Sequence, residues 1–106
     1  MTTYAVVRFT VPGFHRWPDA PEHRAYLRNE HRHLFHVEVA VEVTHDDREI
    51  EFHDLQKFCR HDFMLSGPMS CEMACKHLHD CLETRYPKRK RIVSVFEDGE
   101  VGAMVL

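Results

Sequence analysis

Apolar and polar residues alternate with a period of two in two stretches of the first half of the chain, and each stretch predicts a strand. From Tyr4 to Val11, Ala5, Val7, Phe9 and Val11 share one parity and Arg8 and Thr10 take the other, with Pro12-Gly13 expected to end the element. From His31 to Val43 the alternation is stronger: His31, His33, Phe35, Val37, Val39, Val41 and Val43 share one face, opposite Arg32, Leu34, His36, Glu38, Ala40 and Glu42. Residues 13–30 hold Pro18, Pro21 and many charges without a sustained period, which predicts a long excursion of the kind that usually serves function. Thr44-His45-Asp46-Asp47-Arg48 is expected to break or bulge the second strand before Ile50-Glu51-Phe52.

Beyond residue 53 the spacing turns helical. Asp54 caps a short helix with Leu55, Phe58, Cys59 and Phe63 at three- and four-residue intervals, stopped by Ser66-Gly67-Pro68. Ser70 caps a second, whose Met73, Ala74, His77, Leu78, Cys81 and Leu82 form one apolar stripe before Pro87. Ile92–Phe96 and Val101–Leu106 predict two further strands joined by the two-residue turn Asp98-Gly99, where both positions must tolerate positive φ. The order β-β-α-α-β-β predicts an α+β domain, with two helices on one face of an antiparallel four-stranded sheet.

With 106 residues the chain forms at most one domain, residues 1–106. A composition that is 43% hydrophobic and 29% charged, with 4 Gly and 5 Pro, excludes disordered and low-complexity classes. No window reaches the about 18 apolar residues of a membrane span, and the opening residues lack a basic segment followed by an apolar one, so a cytoplasmic protein is expected. Lys and Arg number 14 against 17 acidic residues, a net charge of −3 that argues against a nucleic-acid partner. The run Lys88-Arg89-Lys90-Arg91 accordingly reads as a solvated loop. The four cysteines, three of them in one predicted helix, read as reduced, and Cys71 and Cys75 as small core residues. Cys59, beside Phe58 and Phe63, reads the same way, although its helix can also bring it near a site as a displaced nucleophile.

Histidine is the outlier, with 10 copies, among them His15, His23, His31, His33 and His36 in one short stretch. Imidazole is the commonest metal ligand. Residues two apart on a strand project from the same face, so His31 and His33 bring two rings to one point. His15, from the preceding excursion, supplies a third nitrogen. Three histidines with one open position are the pattern of a catalytic zinc centre, so Zn2+ is the expected cofactor. His23 and His36 read as solvated or supporting groups, His36 being on the opposite face.

These segments together resemble the 6-pyruvoyl-tetrahydropterin synthase and 6-carboxy-tetrahydropterin synthase family, which has the tunnelling fold, along most of the chain. Phe14-His15-Arg16-Trp17 stands where that family has its first zinc histidine. His31-Arg32-His33 is similar to its His-Gly-His, opening a valine-rich strand. Ile50-Glu51-Phe52-His53-Asp54-Leu55 resembles its apolar-acid-Phe signature, and Pro68-Met69-Ser70-Cys71-Glu72-Met73-Ala74 its helix beginning Pro-Thr-x-Glu-Asn. Val93-Ser94-Val95-Phe96-Glu97 is similar to the segment whose Glu grips a pterin or purine ring.

The resemblance implies a zinc-dependent carbon-oxygen lyase acting on a dihydroneopterin-triphosphate-like pterin, in pterin or 7-deazaguanine (queuosine) biosynthesis. It implies His15, His31 and His33 as metal ligands and Glu97 as the ring anchor. It also implies a homo-oligomer whose sheets close barrels between subunits, with the site at a subunit boundary. Two family features are missing. Residues 24–30 contain no cysteine, where the family has its catalytic thiol, which points instead to Glu30 or, more loosely, Glu22. The family's Asp-His pair has only His61 and Asp62 as counterparts, in reversed order. Arg32 replaces a glycine and Asp98 a threonine. The alternative expectation is therefore a catalytically incomplete protein that binds metal and a pterin or purine.

Overall fold

The computed structural model describes residues 1–106. Strand β1 (Thr3–His15) pairs antiparallel over its whole length with β2 (His31–Val43), from Thr3 opposite Val43 to His15 opposite His31. Helices α1 (Phe52–Asp62) and α2 (Cys71–Arg85) follow, then β3 (Arg91–Glu97) and β4 (Val101–Val105). The four strands form one open antiparallel sheet in the order β1-β2-β3-β4, so the protein is α+β. A short 3-10 helix (Glu22–Arg28) makes a third helical segment.

The alternation seen in the sequence becomes one buried face. Ala5, Val7 and Phe9 of β1, Phe35, Val37, Val39 and Val41 of β2, and Val93 and Val95 of β3 pack against Leu55 and Cys59 of α1 and Ala74, Cys75, Leu78 and Leu82 of α2. Burial on this scale supplies most of the stabilisation, roughly 25 cal/mol per Å² of apolar surface removed from water. All four cysteines are free, and Cys81 alone is only partly buried. No helix is long and apolar enough to cross a membrane.

Several boundaries differ from the sequence expectation. Pro12-Gly13 does not end β1, which continues to His15. β1 is an edge strand, where a position facing away from the ladder tolerates a residue without an N–H. Gly13 is needed there, because a Cβ would lie 2.9 Å from the Phe35 ring. The excursion is accordingly shorter, and it closes on itself: the Trp17 N–H donates to the Leu27 carbonyl (2.8 Å) and Arg28 Nε to the Ala20 carbonyl (2.8 Å).

Ile50-Glu51-Phe52 is not a resumed strand. The Glu49 carboxylate accepts from the Thr44 N–H (2.6 Å), the Thr44 hydroxyl (3.0 Å) and Arg89 (2.7 Å), turning the chain off the sheet. α1 begins two residues before Asp54 because Glu51 is the cap and accepts from the Asp54 N–H (2.5 Å). Ser70 caps α2 as expected, accepting from the Met73 N–H (3.1 Å).

The β3–β4 connection has three residues rather than two, because Glu97 pairs with Val101 and the Glu100 N–H donates to the Glu97 carbonyl (3.0 Å). Asp98 and Gly99 do take positive φ, 54° and 74°. The basic run is not wholly solvated either. Arg89 is held by Glu49, and buried Arg91 donates to the carbonyls of Tyr86 (3.2 Å) and Arg89 (2.6 Å).

Candidate metal centre

β1 and β2 run past the end of β3, whose last residue, Glu97, lies opposite Phe35. At that projecting tip, on the helix-covered face, His15 stands across from His31, and His33 follows two residues on. The three rings meet nearly edge to face, with centroids 4.6 Å (His15–His31), 5.0 Å (His31–His33) and 5.3 Å (His15–His33) apart. Phe35 lies beneath, its centroid 5.4 Å from that of His15 and 5.8 Å from that of His33. One ligand atom from each histidine lies within 4.8 Å of the other two, so the group can hold a metal ion.

The hydrogen bonds around the triad assign its protons. Nδ1 of His15 lies 2.8 Å from the Met69 carbonyl, Nδ1 of His31 2.9 Å from the Asn29 carbonyl, and Nδ1 of His33 2.8 Å from Oδ2 of Asp98. These oxygens only accept, so each Nδ1 carries a hydrogen, and in the neutral ring each Nε2 then keeps its lone pair. Ligating histidines ordinarily show this arrangement, in which an outer oxygen fixes the tautomer and the ring orientation. Nε2 of His15 and Nε2 of His33 are buried with no hydrogen-bond partner. A buried polar atom left unpaired costs about 1–3 kcal/mol, and a bound cation would remove that cost. The donor set therefore fits a borderline-soft divalent ion such as zinc.

Two carboxylates frame the group. Asp98 bonds His33 through one oxygen and accepts from the Leu34 N–H (2.9 Å) through the other. The His33 bond first, and then that N–H, hold its carboxyl below the usual range. Glu97 places Oε2 3.2 Å from Nε2 of His33 and Oε1 3.7 Å from Nε2 of His15. Cys71, the first residue of α2, directs its thiol to Glu97 Oε1 (3.7 Å). Burial, with the adjacent Glu97 charge adding to it, pushes that thiol up to about 12, so it stands protonated.

Beside the triad a cavity of about 380 Å³ opens, reaching His15, His31, Glu97 and Cys71, with Trp17, Met69 and Met73 among its apolar walls and Arg16 and Glu72 on its polar side. That volume suits a small ring compound.

The structure brings His15, His31, His33 and Glu97 together. Glu30 is exposed and lies outside the cavity wall. Glu22 is exposed and pairs with Arg28 (3.1 Å). His61 and Asp62 bond each other (2.8 Å) at the end of α1, where burial first, and then the Asp62 charge, raise the Cys81 thiol. Cys81 lies ten residues along α2 from Cys71, about 15 Å at the helical rise, so the pair sits far from the triad. Cys59 is buried with its thiol raised to about 12 by desolvation, also near Asp62 and Cys81. His36 lies on the other side of the sheet, facing Gly99.

Sequence reasoning missed three participants. The sequence favours packing over a thiolate pair for Cys71 and Cys75, it marks Asp98 as a turn residue in place of a threonine, and it gives no sign of the Met69 carbonyl. The one available signal was Asp98 itself, an acid beside Glu97 in a hairpin that returns to the histidine strand. No protein-family model and no curated protein matches this sequence.

Proposed function

We propose that this chain is a zinc-dependent lyase of the tetrahydropterin synthase type with a tunnelling fold, acting on a small pterin-like substrate. The observation that carries the reading is the triad itself: three Nδ1 atoms tied to outer oxygens, one ligand atom of each ring within 4.8 Å of the other two, and Nε2 of His15 and of His33 buried without a partner. His15, His31 and His33 hold the ion. Bound there, zinc supplies Lewis acidity and lowers the pKa of a coordinated hydroxyl or keto oxygen.

The chain's own residues do the rest. Trp17 offers an aromatic face for a flat ring, and Glu72 an acceptor for its N–H-bearing edge. Arg16 at the same cavity suits an anionic substituent. Glu97, between the Cys71 thiol and the histidines, is the carboxylate placed to take a proton from a carbon next to the activated oxygen.

The reading extends to assembly. The β4 edge is unpaired, and so is the β1 edge up to Phe14, while at His15 the β1 edge is bridged by Gly67; pairing between copies along β1 in a homo-oligomer would place the neighbouring site at a subunit boundary.

One observation favours a second reading, a metal- and pterin- or purine-binding protein without turnover: the His61–Asp62 pair is remote from the cavity. Metal analysis of the purified protein, followed by turnover with dihydroneopterin triphosphate, decides between them. Zinc with product formation supports the lyase. Zinc with ligand binding but no product supports the second reading, and a protein that takes up no zinc overturns both.

A further inference from the structure

Glu97 stands in an unusual relation to the histidines. Its Oε2 is 3.2 Å from Nε2 of His33 and its Oε1 3.7 Å from Nε2 of His15, yet neither nitrogen has a hydrogen-bond partner. Both Nδ1 hydrogens are already committed to Met69 and Asp98. With the rings neutral, an oxygen and a lone-pair nitrogen this close repel, and a metal ion between them turns the repulsion into two attractions. Oε1 receives one further contact, the Cys71 thiol at 3.7 Å, from the side of α2. The end of β3 opposite Phe35 sets the carboxylate at this height over the triad, and the Glu97 side chain is 27% exposed, so it can swing toward the cavity.

We infer that Glu97 is the fourth donor to the metal held by His15, His31 and His33, and closes the site until a ligand oxygen displaces it. The inference rests on the metal-binding reading above and adds to it the identity of the group that fills the open position. Three neutral imidazoles leave a divalent ion with its full charge in a largely buried site, and one carboxylate halves it. A ligand that enters from the cavity must displace Glu97 to reach the ion. The Cys71 thiol is then the nearby donor for the released carboxylate.

Titration of the full-length protein with Zn2+ against a chelator, and with Co2+ followed by its visible spectrum, tests this. In Glu97→Gln the zinc affinity should fall about tenfold or more. The Co2+ band should move, and azide should perturb it at concentrations that leave the wild-type spectrum unchanged. Glu100→Gln, an exposed acid of the same hairpin, should match wild type in all three respects, and far-ultraviolet circular dichroism should show that both variants are folded. Equal zinc affinity and an identical Co2+ spectrum in Glu97→Gln and wild type would overturn the inference while leaving the histidine site intact. A wild-type protein that binds neither cation would overturn the metal reading itself.

Discussion

Asp98 adopts a left-handed backbone, φ 54°, that costs a non-glycine residue on the order of 1 kcal/mol, and its contacts repay it. Its N–H donates to the Leu34 carbonyl (2.8 Å), one carboxylate oxygen accepts from the Leu34 N–H, and the other holds Nδ1 of His33. Replacing Asp98 with Asn preserves shape but lets the His33 ring choose the other tautomer. Zinc affinity should therefore drop about 10- to 100-fold, measured by chelator competition, while the midpoint of metal-free thermal unfolding moves little. An unchanged affinity would mean that Asp98 serves the turn alone. The two histidines on β2 were legible in the sequence because i and i+2 share a face of any strand. Asp98 and Met69 were not, since they meet the triad across separations of 65 and 54 residues that only the folded topology closes.

Sheet register decides where these side chains stand, and glycine guards it at two positions. A Cβ on Gly102 would run into the Val95 carbonyl oxygen and the Phe96 Cα, both backbone atoms of the neighbouring strand. Gly102→Ala should consequently unseat β4 and expose β3, with loss of amide-exchange protection at Val93–Glu97 as the readout; protection retained there would contradict the stated packing. The turn after β2 is equally specific. Arg89 first, then the Thr44 N–H, lower the Glu49 carboxyl from 4.5 to about 2. A carboxylate depressed on folding stabilises above its unfolded pKa and loses that contribution as pH falls. Wild type should thus be more stable than Glu49→Gln at neutral pH, with the gap closing between about pH 4.5 and 2 in denaturant titrations. A gap independent of pH would contradict the linkage. The central parts of all four strands and both α-helices followed from periodicity and caps. Their ends did not, because Pro12 on an edge, Glu51 as a cap and Glu49 as a clasp act through neighbours distant in the chain.

At the scale of the whole molecule, one face of the sheet is covered by helices and the other carries exposed Val6, Phe14, Leu34 and Met104. With the β4 edge and most of the β1 edge open as well, sedimentation should give a multiple of the 12.6 kDa chain mass, and a strictly monomeric protein would contradict the proposed assembly. Metal should couple to folding too. Free Zn2+ at about a hundred times Kd should add about 2.7 kcal/mol to the unfolding free energy of wild type and nothing to that of His33→Ala, read by denaturant titration.

The most direct test follows the imidazole nitrogens by 15N NMR as one equivalent of Zn2+ is added. His15, His31 and His33 should shift at Nε2 and keep their Nδ1 hydrogens, while the remaining histidines stay as they were. Shifts spread over other histidines, or none at all, would contradict a metal centre built on these three rings.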